Sequence, residues 1–197
     1  MPAFDLRGIH VAEYMNTEGV VTYGNAMKAG DAMTANLELR FAEGRLYAES
    51  ALAEYMKLAT GGSISLAVKY IPDAVQSLLY GATVSSRTVG TATVKGLKFG
   101  AKDSAKYVGV SFYAPSMRDG VNKYTCVFVS RALFGPPSYA YQTRGESITF
   151  QTPTTTGEFL ADHSATQNLI ETAIADKEED AIAWCKAVFG AGNAQEA

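Results

Sequence analysis

Two histidines, two cysteines and twenty carboxylates are what this 197-residue sequence offers to chemistry. His10 lies in an alternating apolar segment and His163 in a polar loop, far apart in sequence, so each reads as a structural or solvent-facing residue. Asp162, His163 and Ser164 supply the residue types of a hydrolytic relay. Three consecutive residues cannot present all three side chains along one path, and no G-x-S-x-G elbow accompanies them. Metal centres need His, Cys, Asp or Glu at short spacings, and neither the cysteines nor the histidines form such a pair. Cys126 and Cys185 read instead as small buried thiols in a reducing compartment. Gly190-Ala191-Gly192 lacks the third glycine of a nucleotide fingerprint and follows a helix instead of a strand, so it reads as a helix end. Glu38, Glu43 and Glu49 would serve as a glycosidase pair only if the fold brought two of them into one cleft. The expectation is a chain with no catalytic residue, no metal site and no cofactor, hence not an enzyme.

The composition points the same way. Hydrophobic residues make up 47% of the chain, enough for a real core, and the length suits one domain over 1–197. The charged fraction, 19%, is below the roughly 25% usual for soluble domains, while 18 glycines and 11 tyrosines suit strands and turns. Low charge also suggests surface hidden by self-association. A net charge of −3 leaves no basic stripe for a tight nucleic-acid binder. The first fifteen residues mix charges into their apolar positions, unlike a signal peptide, and no run approaches the ~18 apolar residues of a membrane helix. The expectation is a soluble protein made in a cytosol, with no membrane partner.

The elements that would position these residues are mostly strands. Segments 8–14, 20–23 and 33–41 have strand character, and in the third Met33, Ala35, Leu37, Leu39 and Phe41 alternate with Thr34, Asn36, Glu38 and Arg40. Glu43-Gly44 is expected to turn the chain into a short return strand over 45–49. Residues 50–62 break the rhythm and read as a long inter-strand loop or an imperfect helix, a length that calls for a binding or docking role. Ile64, Leu66, Val68 and Tyr70 then alternate with Ser63, Ser65, Ala67 and Lys69. Pro72-Asp73 opens a short helix with Val75, Leu78 and Leu79 on one face and Gly81 at its end. Residues 83–95 read as a strand and 96–105 as turns, with further strands over 106–113, 122–132 and 146–151. Pro136-Pro137 and the Thr-rich 152–157 read as exposed connectors or edges. Glu178, Glu179 and Asp180 open a C-terminal helix with Ile182, Cys185 and Phe189 on one face; Trp184 belongs to its core contacts, and 191–197 is expected to fray. About eight or nine strand candidates favour a mainly β sandwich or barrel over a parallel design.

The order of these features resembles the major tail protein (tail tube) family of long-tailed siphophages. The likeness rests on Gly8-Ile9-His10-Val11-Ala12, Gly19-Val20-Val21-Thr22-Tyr23-Gly24 and Leu37-Glu38-Leu39. It continues through Tyr47-Ala48-Glu49, Gly62-Ser63-Ile64-Ser65-Leu66-Ala67 and Ile71-Pro72. Val108-Gly109-Val110, Lys123-Tyr124, Phe128 and Ser147-Ile148-Thr149-Phe150 carry it through the second half. The resemblance implies a β-sandwich or half-barrel with a short flanking helix and a C-terminal helix, a fold shared with lambda-like tail tubes and type VI secretion tubes. It implies homo-hexameric rings that stack into a hollow tube in the virion tail, assembled in the host cytoplasm. Its partners would be the tape measure protein, the tail terminator, the baseplate or tail tip proteins, and phage DNA passing through the lumen.

Within that expectation, alternation nominates Thr34, Asn36, Glu38 and Arg40 on one strand and Ser63, Ser65, Ala67 and Lys69 on another as lumen-facing, unless those faces look outward. A polar, mildly acidic wall would let a polyanion slide, and Arg40 and Lys69 would then pair with acids of a neighbour. Leu52, Tyr55, Met56 and Leu58 make residues 50–62 the candidate for ring-to-ring docking, the alternative being a lid over the subunit's own core. The rival functions are a monomeric binding module using Tyr139 and Tyr141, and a single-ring tail terminator or neck protein.

Overall fold

The computed structural model describes residues 3–118, 120–143 and 150–190. The strand expected over 146–151 falls largely outside these residues, and Phe150 and Gln151 are in no strand. The expected frayed tail, 191–197, also lies outside them.

The chain is mainly β with two flanking helices. Its elements are β1 (Arg7–Thr17), β2 (Val20–Tyr23), β3 (Met27–Lys28), β4 (Ala32–Ala48), β5 (Ala51–Val68), α1 (Asp73–Tyr80), β6 (Thr83–Val89) and β7 (Ala92–Lys98). They continue with β8 (Val108–Arg118), β9 (Val121–Phe134), β10 (Thr154–Phe159), β11 (Ile170–Ala175) and α2 (Glu178–Ala187). Every pairing is antiparallel, and the main sheet runs β2-β1-β8-β9-β10-β5-β4. β3 joins β1 beside β2, and β11 joins β9 beside β10. β6 and β7 form a separate two-stranded ribbon.

Alternation explains how this sheet closes on itself. Ile9 and Val11 of β1, Ile64 and Leu66 of β5, and Val108 and Val110 of β8 are almost wholly buried in one cluster, which Leu37 of β4 also joins. Strands from both ends of the sheet path thus share a single core, the curl of a half-barrel. Helix α1 caps this core with Val75, Leu78 and Leu79, the face the sequence pattern selects. Gly81, at φ 73°, ends the helix in the left-handed region and donates its N–H to Ser77 O at 3.0 Å.

The reverse face of the sheet is covered only in part. There α2 sets Ala181 and Cys185 against Tyr113 and Cys126, and Val188 and Phe189 against Ala12 and Phe128. Ser111 Oγ donates to Cys185 O at 2.6 Å, fixing the helix to β8. Acids at its first turn, Glu178, Glu179 and Asp180, suit the positive end of the helix. Neither helix is long and apolar enough to cross a membrane.

Four expectations change. No turn forms at Glu43-Gly44, because β4 runs unbroken to Ala48 with Gly44 opposite Met56. The turn comes at Glu49-Ser50, both at positive φ (51° and 67°), the two-residue geometry whose twist matches flanking strands. Residues 51–62, expected as a loop or imperfect helix, are the first part of the 18-residue strand β5. The Thr-rich segment is no edge: β10 lies between β5 and β9, and Pro153 precedes the strand, where its missing N–H costs no ladder bond. Residues 83–98 form a hairpin instead of one strand, and β11 had no counterpart in the sequence reading.

Candidate assembly surfaces

Beyond the reach of α2, the face of β4, β5 and β10 turned away from the core is open. Cross-strand register builds it in rows: Thr34, Ala67 and Thr154; Asn36, Ser65 and Thr156; Glu38, Ser63 and Glu158. Thr34, Asn36, Glu38 and Arg40 are exposed, and Ser63, Ser65 and Ala67 are half-buried. Lys69 is exposed just past the end of β5. Seven of the eight residues that alternation nominated therefore share one side of the sheet, with Lys69 just beyond its end. Sequence reading missed Thr154, Thr156 and Glu158, although their alternation with the buried Thr155 and Phe159 was a usable signal. Arg40 pairs within its own chain, Nη1 to Glu158 Oε1 at 2.8 Å. Both side chains are mostly in solvent, so the pair contributes little to stability. Glu38 and Glu158 stand against Arg40 on the face, with Lys69 just beyond its end, so the charges nearly balance.

Past the Arg40–Gly61 pair the two strands leave the body as an arm whose residues, from Phe41 to Thr60, are all exposed. The junction depends on small residues. A β-bulge follows Arg40, Gly61 takes φ 141°, and a Cβ on Gly62 would lie 2.1 Å from Glu38 O and 2.3 Å from Phe159 Cζ.

The two faces of the arm differ. On one, Phe41 and Ala59, Glu43 and Lys57, and Arg45 and Tyr55 are opposite one another. Lys57 Nζ is 4.4 Å from the Phe41 ring centroid and Arg45 Cζ 5.5 Å from that of Tyr55. Hydrogen bonds from Tyr55 and Lys57 hold the Glu43 carboxyl below its usual range. The other face pairs Ala42 with Leu58, Gly44 with Met56 and Leu46 with Glu54. Leu46, Met56 and Leu58 are 57–63% exposed there, with nothing covering them. Of the four docking candidates, Met56 and Leu58 lie on this bare face and Tyr55 on the charged one; Leu52 sits opposite Tyr47 near the tip. The alternative of a lid over the subunit's own core is excluded by this exposure.

The chemically suggestive residues have other employment. Asp162 Oδ1 accepts from Ser164 Oγ (2.5 Å), Ser164 N (3.0 Å) and Asn168 N (3.0 Å), which closes a loop. His163 is turned elsewhere: Arg131 Nη1 donates to its Nε2 at 3.3 Å, so its Nδ1 donates to Tyr14 Oη at 2.9 Å. No Ser–His relay exists here. His10 Nδ1 donates to Gly8 O at 2.8 Å. Glu38 lies on the body, Glu43 is ion-paired on the arm and Glu49 is in its turn, so no acid pair forms. Among the described residues no group of three or more His, Cys, Asp or Glu is placed to hold a metal. Cys126 and Cys185 meet beneath α2 as free thiols, and burial pushes Cys185 up to about 12. Tyr139 and Tyr141 stack at 6.2 Å, Tyr139 Oη donating to Gln76 Oε1 and Tyr141 90% exposed.

No family model matches this chain. No curated protein matches it either.

Proposed function

We propose that this chain is a structural, self-assembling subunit of a phage tail tube, forming homo-hexameric rings that stack around a lumen through which DNA passes. The observation that carries the reading is the arm over 41–60: twenty residues of regular antiparallel ribbon that bury nothing in their own chain, with one bare apolar face. An isolated two-stranded ribbon is marginal in water. A large exposed apolar face on an extended element is the signature of an interface.

Two further features support it. β4 ends the sheet path, so its outer edge has no strand partner among the described residues, and ring closure between copies would satisfy that edge. The polar face of β4, β5 and β10 suits a wall over which a polyanion moves: hydroxyls, an amide and balanced charges offer no array of cations to hold phosphates. Its role is passage, not catalysis. In the virion tail, such a tube would surround the tape measure protein and end on the terminator and the baseplate or tip proteins. The stacked, exposed Tyr139–Tyr141 pair favours a second reading, a monomeric binding module.

Negative-stain electron microscopy over a concentration series separates these. Rings with a central hole, or tubes, are expected. Monomers at every concentration, together with retention on an immobilised glycan or protein ligand that Tyr141→Ala abolishes, would replace tube assembly with the binding module.

A further inference from the structure

The ribbon β6–β7 carries a charge opposite to that of the body. From Thr83 to Lys102 the chain has four cations, Arg87, Lys95, Lys98 and Lys102, and no acidic residue. The rest of the sequence therefore holds thirteen basic against twenty acidic residues, a net charge of −7. None of the four cations has an ion-pair or hydrogen-bond partner among the described residues. The ribbon also leaves apolar side chains uncovered, with Val84, Val89 and Val94 between 51 and 59% exposed. Register sets Ser86 opposite Lys95 next to Val84 and Leu97, and Arg87 opposite Val94 on the other face. Cations thus alternate with aliphatic groups on both sides.

We infer that this ribbon docks on the acidic body of a second copy of the same chain, at the cleft beside the start of α2. That cleft, about 590 Å³ and open to solvent, is lined by Asn122, Tyr124 and Ile182, by the acids Asp176, Glu178 and Glu179, and by one cation, Lys177. The segment 171–180 concentrates five acids. Asp176 is held by Lys123 and Glu178 by Arg7, while Glu179 and Asp180 have no cation among the described residues. A lining that mixes apolar groups with three acids against one cation suits the aliphatic and cationic side chains of the ribbon. A nucleic acid fits less well: Phe99 is the one aromatic side chain of 83–102, and a body at −7 repels a polyanion. Ribbon and cleft are different surfaces of one chain, so the contact is head-to-tail and propagates into a ring or a stack. The inference rests on the self-assembly reading and adds which surfaces meet.

Carbodiimide coupling of the assembled full-length protein, followed by mass spectrometry, tests it directly. Lys95 or Lys98 should be joined to Glu179 or Asp180 in the cross-linked dimer. The variant R87E/K95E/K98E should lose association by at least about tenfold by sedimentation, with an unchanged melting curve, because the ribbon is outside the core. Glu179→Gln combined with Asp180→Asn should weaken association likewise, and added salt should weaken the wild type. If the wild type assembles and both variants assemble equally well without these cross-links, the inference falls and self-assembly stands. A wild type that is monomeric at every concentration overturns both. Retardation of duplex DNA by the wild type but not by R87E/K95E/K98E would overturn it in favour of a nucleic acid.

Discussion

Excising the arm should leave the body intact while abolishing assembly. Arg40 and Gly61 are register partners, so deleting residues 41–60 and inserting Asn-Gly recloses the hairpin with a two-residue turn of favoured type. No residue between 41 and 60 belongs to a buried cluster, so no core contact is removed. The remaining effect is chain entropy. Were the arm disordered in the isolated subunit, shortening the closed loop from twenty residues to two would stabilise the fold by (3/2)RT ln 10, about 2 kcal/mol; were it already folded, by about zero. Melting should therefore shift upward by between nothing and roughly 8 °C, at about 2–4 °C per kcal/mol for a chain of this size. Circular dichroism melts paired with electron microscopy read both quantities. A loss of stability, or rings and tubes persisting in the shortened protein, would refute the reasoning that the arm serves another copy instead of its own core.

Phe159 is wholly buried between β5 and β9, and Phe159→Ala should cost about 3–5 kcal/mol in urea unfolding, unlike any change on the arm. Gly62→Ala forces a methyl against Glu38 O and the Phe159 ring, so a loss of about 1–3 kcal/mol is expected by the same assay. His10 is held below its usual pKa, first by burial and also by Lys186 and Lys28. The unfolded chain then binds the proton that the folded chain refuses, so stability falls as pH drops below about 6.5, and His10→Asn should flatten that part of a urea-midpoint profile. Cys126 and Cys185 should resist a thiol-labelling reagent in the native protein and react fully in denaturant, as buried thiols with raised pKa values do.

Where one face meets the core and the other does not, the sequence is readable. Alternation placed Ala35 and Leu37 of β4 and Ile64, Leu66 and Val68 of β5 against the core, and the helical period placed α1 and α2; Met33, Leu39 and Tyr70, expected on the same side, are about half exposed because the core ends short of them. On the arm that constraint vanishes. Neither face of residues 41–60 is buried in its own chain, so Tyr55, Met56 and Leu58 need not alternate with polar residues, and a strand looks like a loop. Gly44 resembles a turn for the same reason: it is a small residue opposite Met56, a packing choice made by whatever covers that face. The polar-face residues of β4 and β5 were recoverable, whereas Thr154, Thr156 and Glu158 were missed despite their local alternation, because the pairing of β10 with β5 joins segments about ninety positions apart and nothing local says which face they share.

The strand order also sets a timetable for synthesis. β1 and β5 are both made early and each finds one neighbour in the first half of the chain, β1 in β2 and β3 and β5 in β4, but on the other edge β1 waits for β8 and the near half of β5 waits for β10. Until residues 108–159 leave the ribosome, Ile9, Val11, Ile64 and Leu66 have no sheet to close over them. The local hairpins β1–β2, β4–β5 and β6–β7 can form at once, and β8–β9 as soon as it is made. Such long-range pairing makes for slow folding with transiently exposed strands. If the chain assembles as proposed, arm and ribbon are made before the core can close, and productive assembly would require that the body fold faster than those hairpins find one another.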